Sequence, residues 1–271
     1  MSGPAYGDEM IDIEALRQSA RQRAAARPRS PFDGMIRDEH VGGVATRSYT
    51  PHEKMTDAIV YFSHGGYGVF GDLDLQDAYC RRLATVLRRR VVAVDYRLAP
   101  ENSFFDAVDD LESCIRGQAG TTGVILGGDS AGGAVSVAAG DRIGATVRAL
   151  ILTNPNLDLT LQSFDRQAPQ GPDWELLHRA FTLWSRPLPL QEAPEFHRPE
   201  KSPPPIFLAV GSEDSLVPEA RLLATICASR GWDCELNIVN GRGHGFMSDP
   251  DSADLVIRRA DAFIRRHLAV S

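Results

Sequence analysis

The sequence predicts an α/β protein: a mostly parallel, doubly wound sheet carrying a short helical lid. Three observations predict it. Short apolar runs recur along the 271 residues, stretches of helical periodicity separate them, and one proline-rich insertion is too long for a simple connection.

In chain order, Met10 to Arg29 is rich in Ala and Arg, with Ile13, Leu16 and Ala20 on one helical face and Pro28 at its end. It reads as a helix within an N-terminal cap segment, residues 1–37, ahead of a main domain at 38–271. The apolar runs AIVYF, VVAV, GVIL, ALIL and IFLAV begin at Ala58, Val91, Gly123, Ala149 and Ile206. Each reads as a strand buried on both faces, the pattern of a parallel sheet. CELNIV, from Cys234, reads as a strand with mixed faces. Between them, Leu75, Tyr79, Leu83 and Val86 repeat at helical spacing, as do Val108, Leu111 and Ile115. Ala220, Leu223 and Ile226 do the same, followed by Ile257, Ala260, Ile264 and Leu268. The lid insertion covers about 156–205, and its one helical stretch is WELLHRAFTLW, from Trp174 to Trp184.

Composition excludes some partners. A net charge of −7 supplies no broad basic field for nucleic acid or anionic lipid. No secretory leader and no apolar run of membrane-spanning length is found, so a cytoplasmic protein without a membrane partner is expected. Cys80, Cys114, Cys227 and Cys234 form no CxxC pair and have no histidine at zinc spacing; free thiols and no metal are expected.

The chemistry sits at strand ends, where open α/β sheets place their sites. GGDSAGG, Gly127 to Gly133, follows one strand and opens an alanine-rich helix. Gly128, Ser130 and Gly132 fit G-x-S-x-G, a cramped turn that lifts a serine into the open. A serine hydroxyl is a weak nucleophile until a base takes its proton, so an acid and a histidine must follow in that order. Glu213 and Asp214 lie just past IFLAV, and His244 lies in GRGHGF just past CELNIV. Asp249 and Asp251 read as loop or helix-capping residues. An oxyanion needs N–H donors, which Ala131 and the loop HGGYG can supply; Gly65 and Gly66 carry no Cβ to block a substrate.

With these residues assembled, the sequence resembles the α/β-hydrolase fold, and within it the bacterial hormone-sensitive-lipase-like carboxylesterases. HGGYGVFGD, DYRLAPE (Asp95 to Glu101), GDSAGG, GSEDSLVP and HGF carry the resemblance, which extends from about Asp38 to Leu268. It implies Ser130 as nucleophile, Asp214 as acid, His244 as base, and the amides of Gly65, Gly66 and Ala131 as oxyanion hole. DYRLAPE implies bracing, with Arg97 and Glu101 as a charge pair holding a loop, and His64 bracing its own loop. Tyr67 stands where the family's third glycine would be; HGGY is similar to the arylformamidase relatives, which usually continue with Trp where this chain has Gly68.

The expected activity is hydrolysis of small to medium acyl esters through an acyl-enzyme, with no cofactor. Tyr67, Trp174, Phe181 and Trp184 are the expected substrate contacts, and a small-molecule acyl substrate the expected partner. Amide or N-acyl hydrolysis and acyl transfer use the same triad, and a non-catalytic binding protein on this scaffold is the alternative of another class. The family often dimerises, so a homodimer is possible, though the sequence marks no surface for it.

Overall fold

The computed structural model describes residues 11–55, 58–118 and 123–268; the first ten residues of the expected cap segment lie outside them. Eight strands form one sheet in the order β1-β2-β4-β3-β5-β6-β7-β8. They are β1 (Gly34–Val41), β2 (Val44–Pro51), β3 (Ile59–Ser63), β4 (Val91–Val94), β5 (Val124–Asp129), β6 (Val147–Thr153), β7 (Ile206–Gly211) and β8 (Cys234–Val239). From β4 through β8 every pairing is parallel, while β1 with β2 and β2 with β4 are antiparallel.

The continuous apolar runs arise because alternate residues feed two different cores. On β7, Ile206, Leu208 and Val210 join one core, and Phe207 and Ala209 the other. Leu150 and Leu152 on β6 likewise face away from Ala149 and Ile151. Truncating any of the fully buried leucines to alanine removes packing worth about 2–5 kcal/mol. β8 keeps only Asn237 fully buried, as its mixed composition implies.

Helices α2 (Asp77–Leu87) and α7 (Pro250–Leu268) cover one face. The other holds α3 (Phe104–Gly117), α4 (Ala131–Ile143) and α6 (Val217–Arg230), joined by α1 (Ile13–Ala26) and α5 (Trp174–Trp184). Their ends follow local chemistry. Ser103 and Asp106 form a reciprocal capping box on α3, and Asp173 accepts from the Leu176 N–H at 2.7 Å to start α5. Asp12 caps α1, which stops just before Pro28.

The β1–β2 hairpin was absent from the strands read off the sequence. Its strands, GMIRDEHV and VATRSYTP, mix charged with apolar residues: β1 forms an edge of the sheet, and β2 beside it is only partly buried.

The segment between β6 and β7 contains α5 and is pinned at its root by Glu219 of α6, whose carboxylate accepts the N–H groups of Leu157 and Asp158. Within it, Asp158, Glu195 and His197 bring possible ligand atoms within 4.8 Å of one another. Those groups are already engaged: Asp158 accepts from Thr160 and Ser163, and His197 bonds the Leu157 carbonyl and Ser163. The cluster is a brace for the segment.

Candidate active site

Four strand ends converge. β5 runs into Ser130, whose backbone is forced to φ +53° at the N-terminus of α4. That turn closes only over glycine: a Cβ on Gly128 would lie 2.2 Å from the Gly132 carbonyl, and one on Gly132 2.1 Å from that of Ser63. Strain of about 1–3 kcal/mol at the serine is thereby held in place by close backbone packing.

Ser130 Oγ lies 3.0 Å from His244 Nε2, and His244 Nδ1 lies 2.9 Å from Asp214 Oδ2. Asp214 is buried, and its other oxygen accepts the Leu216 N–H at 3.1 Å. Glu213, the competing acid, turns instead to the side chain of Gln170. Burial pulls the His244 pKa down, but the hydrogen bond and charge of Asp214, with the charge of Asp129, outweigh it and leave the imidazole above its ordinary value.

Beyond β3 the loop from His64 to Gly71 faces Ser130. Among the described residues, the N–H groups of Gly65, Gly66 and Ala131 meet no backbone or side-chain acceptor. A Cβ on Gly65 would stand 3.2 Å from Ser130 Cβ, and one on Gly66 only 1.9 Å from the Phe70 carbonyl. His64 is buried under the loop; its Nδ1 bonds the Gly65 carbonyl at 2.8 Å and its ring stacks 4.3 Å from Tyr96. Tyr96 in turn donates to the His64 carbonyl at 2.7 Å.

Three supports were not singled out from the sequence. Asp129, next to the serine, is half-buried and accepts from Gln76 and Thr153; its removal from water pushes its carboxyl up, opposed by the charge of His244. Asn156 accepts from Ser130 Oγ at 3.2 Å. Gln170 takes the His244 N–H at 2.7 Å and gives its own N–H to Glu213 at 3.1 Å, so one residue ties the acid and base loops together. Asp129 lies inside GDSAGG and was legible there; Gln170 sits in an irregular stretch with no local signature.

A cavity of about 430 Å³ opens over Ser130 and His244. Tyr67 lines it, with φ +58° and its ring 5.7 Å from Phe70. The other expected contacts are corrected. Phe181 and Trp184 are fully buried, because the amphipathic α5 turns its aromatic face to the core, where Trp184 meets Phe104 edge-on at 5.1 Å. Trp174 lies in a separate hollow, stacked beneath Arg166 at 3.6 Å. The cavity wall they were expected to form comes from α1 and the turn after it, including Arg23, Arg27 and Arg29.

The bracing motif is also corrected in detail. Arg97 and Glu101 do not pair with each other: Arg97 bonds Asp110 and Asp106, while Glu101 receives a two-pronged bond from Arg17 of α1 at 2.8 and 2.7 Å. Asp249 caps α7 through Ser252, as its position implied. The four cysteines are free, and no helix among the described residues is long and apolar enough to cross a membrane.

A family model described as an alpha/beta hydrolase fold matches residues 59–248. The esterase LipI of Mycobacterium tuberculosis is 29% identical over 88% of this chain and 83% of its own. Carboxylesterase NlhH of the same organism is 30% identical over 70% of this chain and 66% of its own. A hormone-sensitive lipase from a metagenome library superposes with a TM-score of 0.86 at 24% identity, covering 96% of this chain and 94% of that one. With a strained serine turn at one strand end and a family model matched over residues 59–248, the chain belongs to the alpha/beta-hydrolase family.

Proposed function

We propose that the protein is a serine carboxylic-ester hydrolase for small to medium acyl esters, working through an acyl-enzyme on Ser130. The relay carries the reading: Ser130 Oγ, His244 and Asp214 connect through contacts of 3.0 and 2.9 Å. Ser130 Oγ attacks the ester carbonyl while its proton passes to His244 Nε2. Asp214 holds Nδ1–H, fixing the tautomer and stabilising the imidazolium that forms. The carbonyl oxygen becomes an oxyanion facing the free amides of Gly65, Gly66 and Ala131, each such donor being worth about 3 kcal/mol in the transition state. His244 returns the proton to the departing alcohol; it then takes one from water, which attacks the acyl carbonyl, and Ser130 recovers its hydroxyl as the acid leaves.

Intact mass after brief exposure to para-nitrophenyl esters tests this. One acyl group added at Ser130, absent in Ser130→Ala, together with loss of turnover by about 10⁴-fold or more, is the expected result. Near-normal turnover in that variant would refute the assignment. Faster turnover of acyl chains beyond about twelve carbons would refute the size range, because a cavity of about 430 Å³ holds a drug-sized ligand at most.

A further inference from the structure

We propose that the cavity selects esters carrying an ionised carboxylate away from the scissile bond, held by Arg23, Arg27 and Arg29. This rests on the ester reading above and names its substrate class.

Three observations converge. The chain is acidic overall, with a net charge of −7, yet these three arginines line the cavity that holds Ser130 and His244. Among the described residues none of the three has a carboxylate within ion-pair distance. Among the described residues Arg23 bonds only Ser19 and lies over the Phe70 ring at 5.7 Å, Arg27 bonds the Leu75 carbonyl and Ser248, and Arg29 makes no side-chain bond.

The nearby acids are committed elsewhere. Among the described residues Asp129 is the one carboxylate lining the cavity, and it is half-buried beside Ser130 with Gln76 and Thr153 as donors. Asp72, Asp74 and Asp77 line the hollow on the far side of Arg27 and Arg29. There Asp72 accepts backbone N–H groups, Asp74 pairs with Arg47, and Asp77 pairs with Arg81. The fourth arginine of the cavity, Arg82, pairs with Asp254. Three guanidiniums therefore hold donors free toward one mouth, and a planar carboxylate matches their fork. Even exposed, such a group raises the local concentration of an anion and orients it, an effect that salt weakens.

The experiment compares kcat/KM for matched esters, each divided by its own spontaneous hydrolysis rate. One arm puts the charge on the acyl side: para-nitrophenyl hydrogen adipate against para-nitrophenyl heptanoate. The other puts it on the alcohol side: the butyrate of para-hydroxyphenylacetate against para-cresyl butyrate. The expected result is a preference of about tenfold for the anion in one arm at low salt, lost near 0.5 M NaCl. Arg27→Gln with Arg29→Gln should lower the anion-to-neutral ratio by about the same factor. Calorimetric binding of adipate to Ser130→Ala protein gives an independent reading. Hydrolysis with no anion preference in either arm, insensitive to salt, overturns the carboxylate site and leaves the ester reading intact. Arginine-dependent adipate binding without turnover of any ester does the reverse.

Discussion

The backbone N–H of His244 donates to the carbonyl of Gln170 at 2.7 Å, so the segment inserted between β6 and β7 sets the height of the histidine over Ser130. Gly243 makes that contact possible. A Cβ there would lie 2.1 Å from Gln170 Cβ and 2.6 Å from its carbonyl oxygen. Gly243→Ala should displace the base and lower kcat about 10–100-fold while the circular dichroism spectrum keeps its α/β shape, since small misplacements of reacting groups are costly. An unchanged kcat would show that the segment does not position His244.

A base must be neutral to accept a proton. Because Asp214 and Asp129 hold the His244 pKa above its ordinary value despite burial, the acid limb of kcat/KM against pH should have its midpoint above about 6.5. In Asp214→Asn the midpoint should fall, with kcat lower by up to about 10⁴-fold. The sign for stability is opposite: the raised pKa stabilises the fold below the unfolded value, and that contribution disappears as pH rises through the folded one.

Tyr67 holds a left-handed conformation that glycine adopts freely. Tyr67→Gly relieves strain of about 1–2 kcal/mol but removes a ring packed on Phe70. Packing should win narrowly, with thermal denaturation showing about 1 kcal/mol of lost stability. The widened cavity should raise the ratio of kcat/KM for branched over straight acyl chains, and an unchanged ratio would remove Tyr67 from the acyl pocket.

Arg17 fastens α1 to the loop containing Glu101, adding bonds to the carbonyls of Val69 and Ala99 at 3.0 Å each. The Arg17 hydrogen bond holds the Glu101 carboxyl at about 2, so the pair persists through mildly acidic solution. Arg17→Ala should leave the sheet intact, speed tryptic cleavage at Arg21 and Arg23, and reduce kcat/KM severalfold as the cavity wall loosens. Equal cleavage rates would mean that α1 is held by its apolar face alone.

Asp95 behaves differently. Burial first, then the charge of Asp72, pushes its carboxyl up to about 6. The unfolded chain ionises it near 3.9, so stability should fall as pH rises from about 4 to 6 and stay lower above that. Asp95→Asn should recover about 1 kcal/mol at pH 7 and none at pH 4, as read from urea midpoints.

The parallel strands were legible because each is apolar on both faces, and the serine turn because its geometry demands glycines at fixed offsets. The order Ser130, Asp214, His244 was readable for the same reason: each residue follows a strand. The edge hairpin escaped because both of its strands interleave charged and polar residues with apolar ones, leaving no apolar run to read. The aromatics of α5 were misplaced because helical spacing shows that one face is apolar but not whether it meets a core or a ligand. Arg23, Arg27 and Arg29 were hidden for the converse reason: a basic helix outside the main domain gives no local sign of the loop it folds against.

Gly68 has φ +73°, and a Cβ there would lie 2.2 Å from the ring of the buried Trp184. Positions 68 and 184 therefore change together or not at all. A loop transplanted from a relative with tryptophan at the first position would need a smaller residue at the second, making the pair a unit of exchange in any chimera built on this scaffold.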